Sequence, residues 1–249
     1  MRVVFSFDDG RVDAYEASKI LFSHNLCGTF HITTGFVDGS FCTDSFGKGR
    51  LPMTVTMIRE MKSNRMEISS HGDRHVMEKS DFLISLSKID EILGSNFKKI
   101  GFSVPNSQYD DHLLNQFREE IEDKLSYIRV GRSEKCYSLT NKIRYVLYHA
   151  THLFHFFKGF NKSNVLSSID SFKINSLVIK KDTRIKHLIQ FIDSYRNNRN
   201  STLVLMFHSI ADTPQNEWEY KKSDFARLCE YLSIHKEIEI TTLDKITTK

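Results

Sequence analysis

Short strand-like runs, apolar or alternating, recur along the chain at 3–7, 29–32, 67–69, 100–104, 127–130, 203–207 and 237–241, and each reads as a strand. The run at 203–207 is uninterrupted Leu-Val-Leu-Met-Phe, the mark of a strand buried on both faces. Between most of these runs, apolar residues return every three or four positions, at 13–24, 54–64, 81–93, 111–124, 185–197 and 222–234, which predicts helices. Strand and helix alternating in this order indicate an α/β fold with a parallel sheet. About seven rounds in a chain of 249 residues favour a barrel over an open doubly wound sheet. In such barrels the chemistry sits at the C-terminal ends of the strands, so the polar residues that follow each strand are the ones to weigh.

The first strand closes on Ser6-Phe7-Asp8-Asp9-Gly10. Adjacent side chains on a strand point to opposite faces, so neighbouring carboxylates suit two different tasks in one site. A plain Asp-Asp-Gly turn is the alternative. His71-Gly72-Asp73-Arg74-His75 follows the third strand and sets two imidazoles four residues apart, on one face if the loop winds into a helical turn. Neutral imidazole is a common ligand for zinc-like metals. His208 ends the apolar run at 203–207, where a lone histidine is more often a structural hydrogen-bonding group than a catalyst. By this reading Asp8, Asp9, His71, His75 and His208 all fall directly after strands, and the barrel brings them to one face.

Taken in order, these segments resemble the polysaccharide deacetylases of carbohydrate esterase family 4, the chitooligosaccharide deacetylase-like group, over nearly the whole chain. Residues 6–10 are similar to the family's Thr-Phe-Asp-Asp-Gly motif, 28–32 to its Ala-Thr-Phe-Phe strand, 70–75 to its His-x-x-x-His motif, and Met206-Phe207-His208 to its Leu-x-His motif. The resemblance implies a distorted (β/α)7 barrel. It also implies metal ligation by Asp9, His71 and His75, with Asp8 as general base, His208 as general acid, and Pro105, Asn106 and Met206 at the substrate. One carboxylate and two imidazoles leave open positions on a metal, which lowers the pKa of a bound water towards ~7 from about 15.7. Zinc is the leading ion on ligand type, and cobalt, iron or manganese accept the same donors.

The chain departs from the family at 102–110, the place of its Arg-x-Pro-Tyr motif. Ser103 stands where the arginine would be and Asn106 where the tyrosine would be. The arginine ordinarily orients the base carboxylate and favours its ionised form, so the expectation is that Asp8 is held differently or poorly. Lys173 is the cation near a second basic position of the family, though offset from it. Asn106 still carries the backbone N–H that the family directs at the oxyanion.

His149, His152 and His155 recur every third residue among aromatic side chains, so a helix would spread them along one side. With no carboxylate in the run, a packed or lid-like helix is the expectation rather than a second metal site. Residues 132–182 lack the barrel pattern and read as an inserted excursion within a single domain spanning 1–249. A hydrophobic content of 40% supports a sizeable core, and a formal charge of +4 from dispersed Lys and Arg gives no nucleic-acid signature. Acidic glycans stay open as partners. The cysteines at 27, 42, 136 and 229 show no Cys-x-x-Cys spacing. No apolar stretch is long enough to span a bilayer, and Met1 sits directly on the first strand, which leads to the expectation of a cytoplasmic protein if that is the native start. Oligomeric state is not legible. The function expected is metal-dependent removal of N-acetyl groups from a sugar or polysaccharide. The alternatives are a non-catalytic, metal-containing carbohydrate-binding relative, or an amidase on a small non-sugar substrate.

Overall fold

The structure is a computed structural model and describes residues 1–43, 49–107, 109–132 and 137–247. Cys136 lies outside the described residues; Cys27, Cys42 and Cys229 are free thiols. The strands are β1 (Arg2–Phe7), β2 (Thr29–Ile32), β3 (Glu67–Ser70), β4 (Ile100–Ser103), β5 (Leu125–Arg129), β6 (Val165–Leu166), β7 (Leu177–Val178), β8 (Thr202–Phe207), β9 (Ser209–Ala211), β10 (Glu219–Lys221) and β11 (Glu239–Thr241). The helices are α1 (Val12–Ser23), α2 (Thr34–Asp38), α3 (Val55–Ser63), α4 (Lys79–Leu93), α5 (Asp111–Ile121), α6 (Leu139–Thr151), α7 (Phe154–Asn161), α8 (Ile185–Asp193), α9 (Lys222–Ile234) and α10 (Leu243–Thr247). No described helix is long and apolar enough to cross a membrane.

The sheet runs β5-β4-β3-β2-β1-β8, all parallel, with β7 continuing beside β8 and β6 pairing antiparallel to it. Its two edges meet through an irregular segment. The amides of Ile128 and Val130 donate to the carbonyls of Ser171 and Ile174, and Ile174 N–H donates back to Ile128, while Ile179 N–H donates to Met206 on β8. The barrel is therefore closed but distorted, with a seam between β5 and β8. Residues 132–182, which carry no barrel pattern in sequence, supply α6, α7, β6 and β7, so part of this stretch builds that seam.

Strand alternation explains two separate cores. Val3, Phe5 and Phe7 of β1, Phe30 and Ile32 of β2, and Leu203, Leu205 and Phe207 of β8 face the helices and pack with Leu21, Phe225 and Leu228. The Phe7 ring stacks between Phe30 and Phe207, at centroid distances of 4.9 and 5.1 Å. The opposite set, Val4, Tyr127, Ile174 and Val204, fills the barrel interior and is closed off by Leu243 and Ile246 of α10.

The rest of the interior is polar. Glu67 is buried there and accepts from Tyr127 Oη (2.6 Å), Thr29 Oγ1 (2.7 Å), Ser69 Oγ (2.8 Å) and the Asp244 amide (3.1 Å). Burial, with Asp244 nearby, pushes its carboxyl up. Tyr127 Oη also contacts His31 Nε2 at 3.2 Å. The side-chain oxygens of Glu67, Tyr127, Thr29 and Ser69 are thus all matched, as burial requires.

Between β4 and β5 the register slips: Ile100 pairs with Leu125, but Gly101 pairs with Tyr127 and Ser103 with Arg129. Such a bulge inserts one residue, here Ser126, and reverses which side chains face inward beyond it. Leu125 accordingly packs with the helix layer while Tyr127 and Arg129 enter the barrel. Gly101 makes room for the tyrosine, since a Cβ there would lie 2.0 Å from the Tyr127 ring. Gly101→Ala is expected to cost roughly 1–3 kcal/mol by overpacking, read as a lower denaturation midpoint; an unchanged midpoint would mean that the ring does not lie over β4 in solution.

Candidate active site

Asp8 and Asp9 follow β1 at the point where the chain turns sharply. Asp9 and Gly10 have φ of 77° and 83°, and Gly10 N–H donates to Asp8 O at 3.1 Å. The turn sends the two carboxylates in different directions. Asp8 Oδ1 accepts from Ser103 Oγ at 3.2 Å and from the Arg129 guanidinium, with His31 Nδ1 at 3.5 Å. Asp9 Oδ2 meets Arg11 at 2.7 Å, while its Oδ1 lies 3.6 Å from His71 Nε2 and 3.8 Å from His75 Nε2.

Of the two outcomes expected from Ser103, the structure shows the first: Asp8 is held differently, by Arg129. Arg129 is fully buried, one strand over from the motif position and directly paired in register with Ser103. The small serine leaves space for the guanidinium and hydrogen-bonds both partners. Burial raises the Asp8 carboxyl, but Arg129 above all, then His71 and His31, outweigh it and hold it well below the ordinary range. Lys173 does not serve the base: its Nζ pairs with Asp111 at 2.5 Å. An arginine between Ile128 and Val130 in an otherwise apolar strand was the available signal, because a buried guanidinium demands a carboxylate.

His71 and His75 do not sit on a helical turn. The loop bends through left-handed conformations at Gly72 (φ 82°) and His75 (φ 59°). Asp81 of α4 holds it, accepting from the amides of Asp73 and Arg74 at 2.8 Å each. The bend still brings the Nε2 atoms of the two histidines to 3.1 Å. Since His71 Nδ1 lies 2.9 Å from the Ser103 carbonyl, which can only accept, Nδ1 carries the proton and Nε2 presents a lone pair.

The ligand atoms of Asp9, His71 and His75 all lie within 4.8 Å of one another, and among the described residues no other His, Cys, Asp or Glu group has this arrangement. Metal–ligand bonds of the usual length place tetrahedral donors about 3.3 Å apart. The observed edges of 3.1, 3.6 and 3.8 Å therefore fit a divalent ion of zinc size. Burial, then the proximity of His71, lowers the His75 pKa to about 3, so that imidazole is neutral as a ligand must be. Burial raises the Asp9 carboxyl, but the His71 contact and the Arg11 charge outweigh it and set it at about 2.

Asp8, Asp9, His71, His75, Asn106, Met206 and His208 line one cavity of about 420 Å³, together with Arg11, Ser107, Arg132, Lys180 and Trp218. Pro105 is buried in the adjoining turn and is not part of the wall, whereas Asn106 reaches the cavity with φ of 54°. His208 packs its ring 4.7 Å from that of Trp218, and its Nδ1 has no hydrogen-bond partner among the described residues. His149, His152 and His155 are not on one helix: α6 ends at Thr151, His152 caps it at φ of 54°, and α7 begins at Phe154. His149 Nε2 instead lies 3.3 Å from Asp182.

No family profile matches this chain, and no curated protein matches it by sequence. Solved structures do match. A family 4 acetyl xylan esterase from Clostridium thermocellum, in complex with a cobalt ion, aligns with a TM-score of 0.53 at 15% identity, over 99% of this chain and 90% of the esterase. A peptidoglycan N-acetylglucosamine deacetylase aligns with a TM-score of 0.53 at 12% identity, over 98% of this chain and 87% of its own. A carbohydrate esterase family 4 pseudoenzyme from Bacillus anthracis, in a mutant form with restored activity, aligns at 0.51 and 10% identity, over 99% and 67% of the two chains. The likeness is one of fold: the chain has the distorted barrel of the polysaccharide deacetylases.

Removing Arg129 strands a buried carboxylate. Arg129→Met is expected to destabilise the fold by about 3–5 kcal/mol, and Asp8→Asn in the same chain to recover much of that loss, because the cost lies in the unpaired charge. Denaturant titration of the single and double variants measures the coupling; additive losses would show that the two groups do not interact.

Proposed function

We propose that this protein is a metal-dependent deacetylase that hydrolyses N-acetyl groups of an acetamido sugar or polysaccharide. One observation carries the reading: a carboxylate held ionised by a buried arginine stands beside an Asp-His-His triangle of metal-binding size, at the mouth of a barrel shared with carbohydrate esterase family 4 structures.

A divalent ion held by Asp9, His71 and His75, zinc being the best match to these donors, would supply Lewis acidity and a water of lowered pKa. The chain's own groups then divide the proton transfers. Asp8 accepts the proton of the attacking water. Ser103, Arg129 and His31 all engage its Oδ1, which leaves Oδ2 for that transfer. The backbone N–H of Asn106, held at the cavity by its left-handed turn, donates to the acetyl oxygen as negative charge gathers there. His208, on the wall of the same cavity, protonates the departing amine, without which an amide bond does not break readily. Met206 contributes an apolar wall at the acetyl methyl.

The second reading, a glycan-binding protein that keeps the metal and lacks turnover, is favoured by one feature. His208 Nδ1 has no acceptor among the described residues to raise its basicity, and burial lowers its pKa. Acetate release separates the two. With zinc or cobalt supplied, the protein is expected to release acetate from a short N-acetylglucosamine oligosaccharide; glycan binding with no release on any acetylated glycan supports the second reading instead.

Two variants test the assignment of roles. His75→Ala is expected to lose stoichiometric metal while staying folded, as shown by elemental analysis and circular dichroism. Asp8→Asn is expected to keep the metal and lose about 10²–10⁴-fold in rate. A His75→Ala protein that retained a full equivalent of metal would overturn the ligand set.

A further inference from the structure

The cations around the cavity are not equivalent. Arg129 is matched by Asp8, and Arg11 by Asp9 at 2.7 Å. Lys180 is matched by Glu217 at 2.7 Å, and its ammonium rests 4.0 Å from the centre of the Trp218 ring. Arg132, on the same wall, has no carboxylate partner among the described residues. Among the described residues its guanidinium reaches the Val178 carbonyl alone, at 3.4 Å, and lies 5.8 Å from the centre of the Phe160 ring; its Nε, like those of Arg11 and Arg129, is buried with no hydrogen-bond partner among them. Asp182, which lines a smaller cavity together with Arg132, lies 3.3 Å from His149 Nε2 and forms no ion pair with Arg132 among the described residues.

A half-buried arginine held this incompletely, at the wall of a site that also gains the charge of a divalent ion, favours an anion. Its planar fork suits the paired oxygens of a carboxylate or phosphoryl group. Resting on the deacetylase reading for the identity of the site, we propose that the substrate is an acetamido sugar carrying an anionic group, phosphoryl or carboxylate, next to the acetylated ring, and that Arg132 binds that group with the Lys180 ammonium alongside. The Lys180–Glu217 pair faces solvent at Glu217, so approach of an anion from the cavity need not break it.

The test measures binding and turnover separately, on the metal-loaded protein. Three compounds are compared: di-N-acetylchitobiose, the same sugar bearing a phosphate ester, and one bearing a carboxylate. Calorimetry is expected to show tighter binding of one or both charged compounds, and the ratio of charged to neutral kcat/KM is expected to exceed one. Arg132→Gln should reduce the charged-to-neutral ratio by about 10–100-fold, the range of one hydrogen bond to a charged group, with Arg132→Lys intermediate; Lys180→Met gives the same direction by an independent change. A preference for one charged compound over the other identifies the group. If the charged compounds bind in an Arg132-dependent manner but nothing is turned over, the deacetylase reading fails and the sugar is a ligand, not a substrate, while Arg132 stands as the residue that binds its anionic group. If the neutral sugar is deacetylated and neither charged compound is preferred, or the preference is insensitive to Arg132→Gln and Lys180→Met, this inference is overturned and the deacetylase reading stands.

Discussion

The ion pair between Asp8 and Arg129 is the constraint on which the upper half of the barrel depends. Both groups are buried, and either one alone in that environment would be severely unfavourable. The requirement to keep them together fixes several otherwise unrelated residues: a serine on β4 small enough to admit the guanidinium, a bulge that aims β5 inward, and a sharp left-handed turn after β1 that separates Asp8 from Asp9. The same serine's carbonyl sets the tautomer of His71. The geometry of the base and that of the metal triangle are therefore set through a shared residue.

Below this pair the interior stays polar instead of becoming an aliphatic core. Asp8, His31, Tyr127 and Glu67 follow one another in contact from the cavity floor towards α10. Burial lowers the His31 pKa to about 4 despite the pull of Asp8, so the ring is neutral at ordinary pH and acts in this chain by hydrogen bonding. Polar networks of this kind tolerate few arrangements, because every member must stay satisfied. That restriction fixes the rotamers above it more strictly than methyl packing would.

Much of this was legible from the chain. The strand at 29–32 and the helix at 222–234 have the bounds that periodicity gives, and most other elements agree within a few residues. Asp8, Asp9, His71, His75 and His208 do meet at one cavity, because residues following parallel strands must share an end of the sheet. Arg129 was not legible as the partner of Asp8. Alternation puts 127 and 129 on the same face but does not say which face, and the bulge that decides it leaves no mark in a run of ordinary strand residues. The turn at 71–75 and the break at His152 were missed for a related reason: left-handed backbone at histidine is set by tertiary contacts, not by local preference.

The seam of the barrel gives the site a dynamic character of its own. β4 is joined to β3 by a single registered pair, Ser70 with Phe102, and beyond the bulge β5 leans on the irregular segment at 171–176 rather than on a full strand. Few backbone bonds hold this quarter of the sheet, so it can open as a unit at less cost than the whole molecule. When it opens, Arg129 leaves Asp8. Warming or mild denaturant would then extinguish the site while the strands from β3 through β1 to β8 still exchange their amides slowly, and the temperature at which the protein stops working would lie below the one at which it melts.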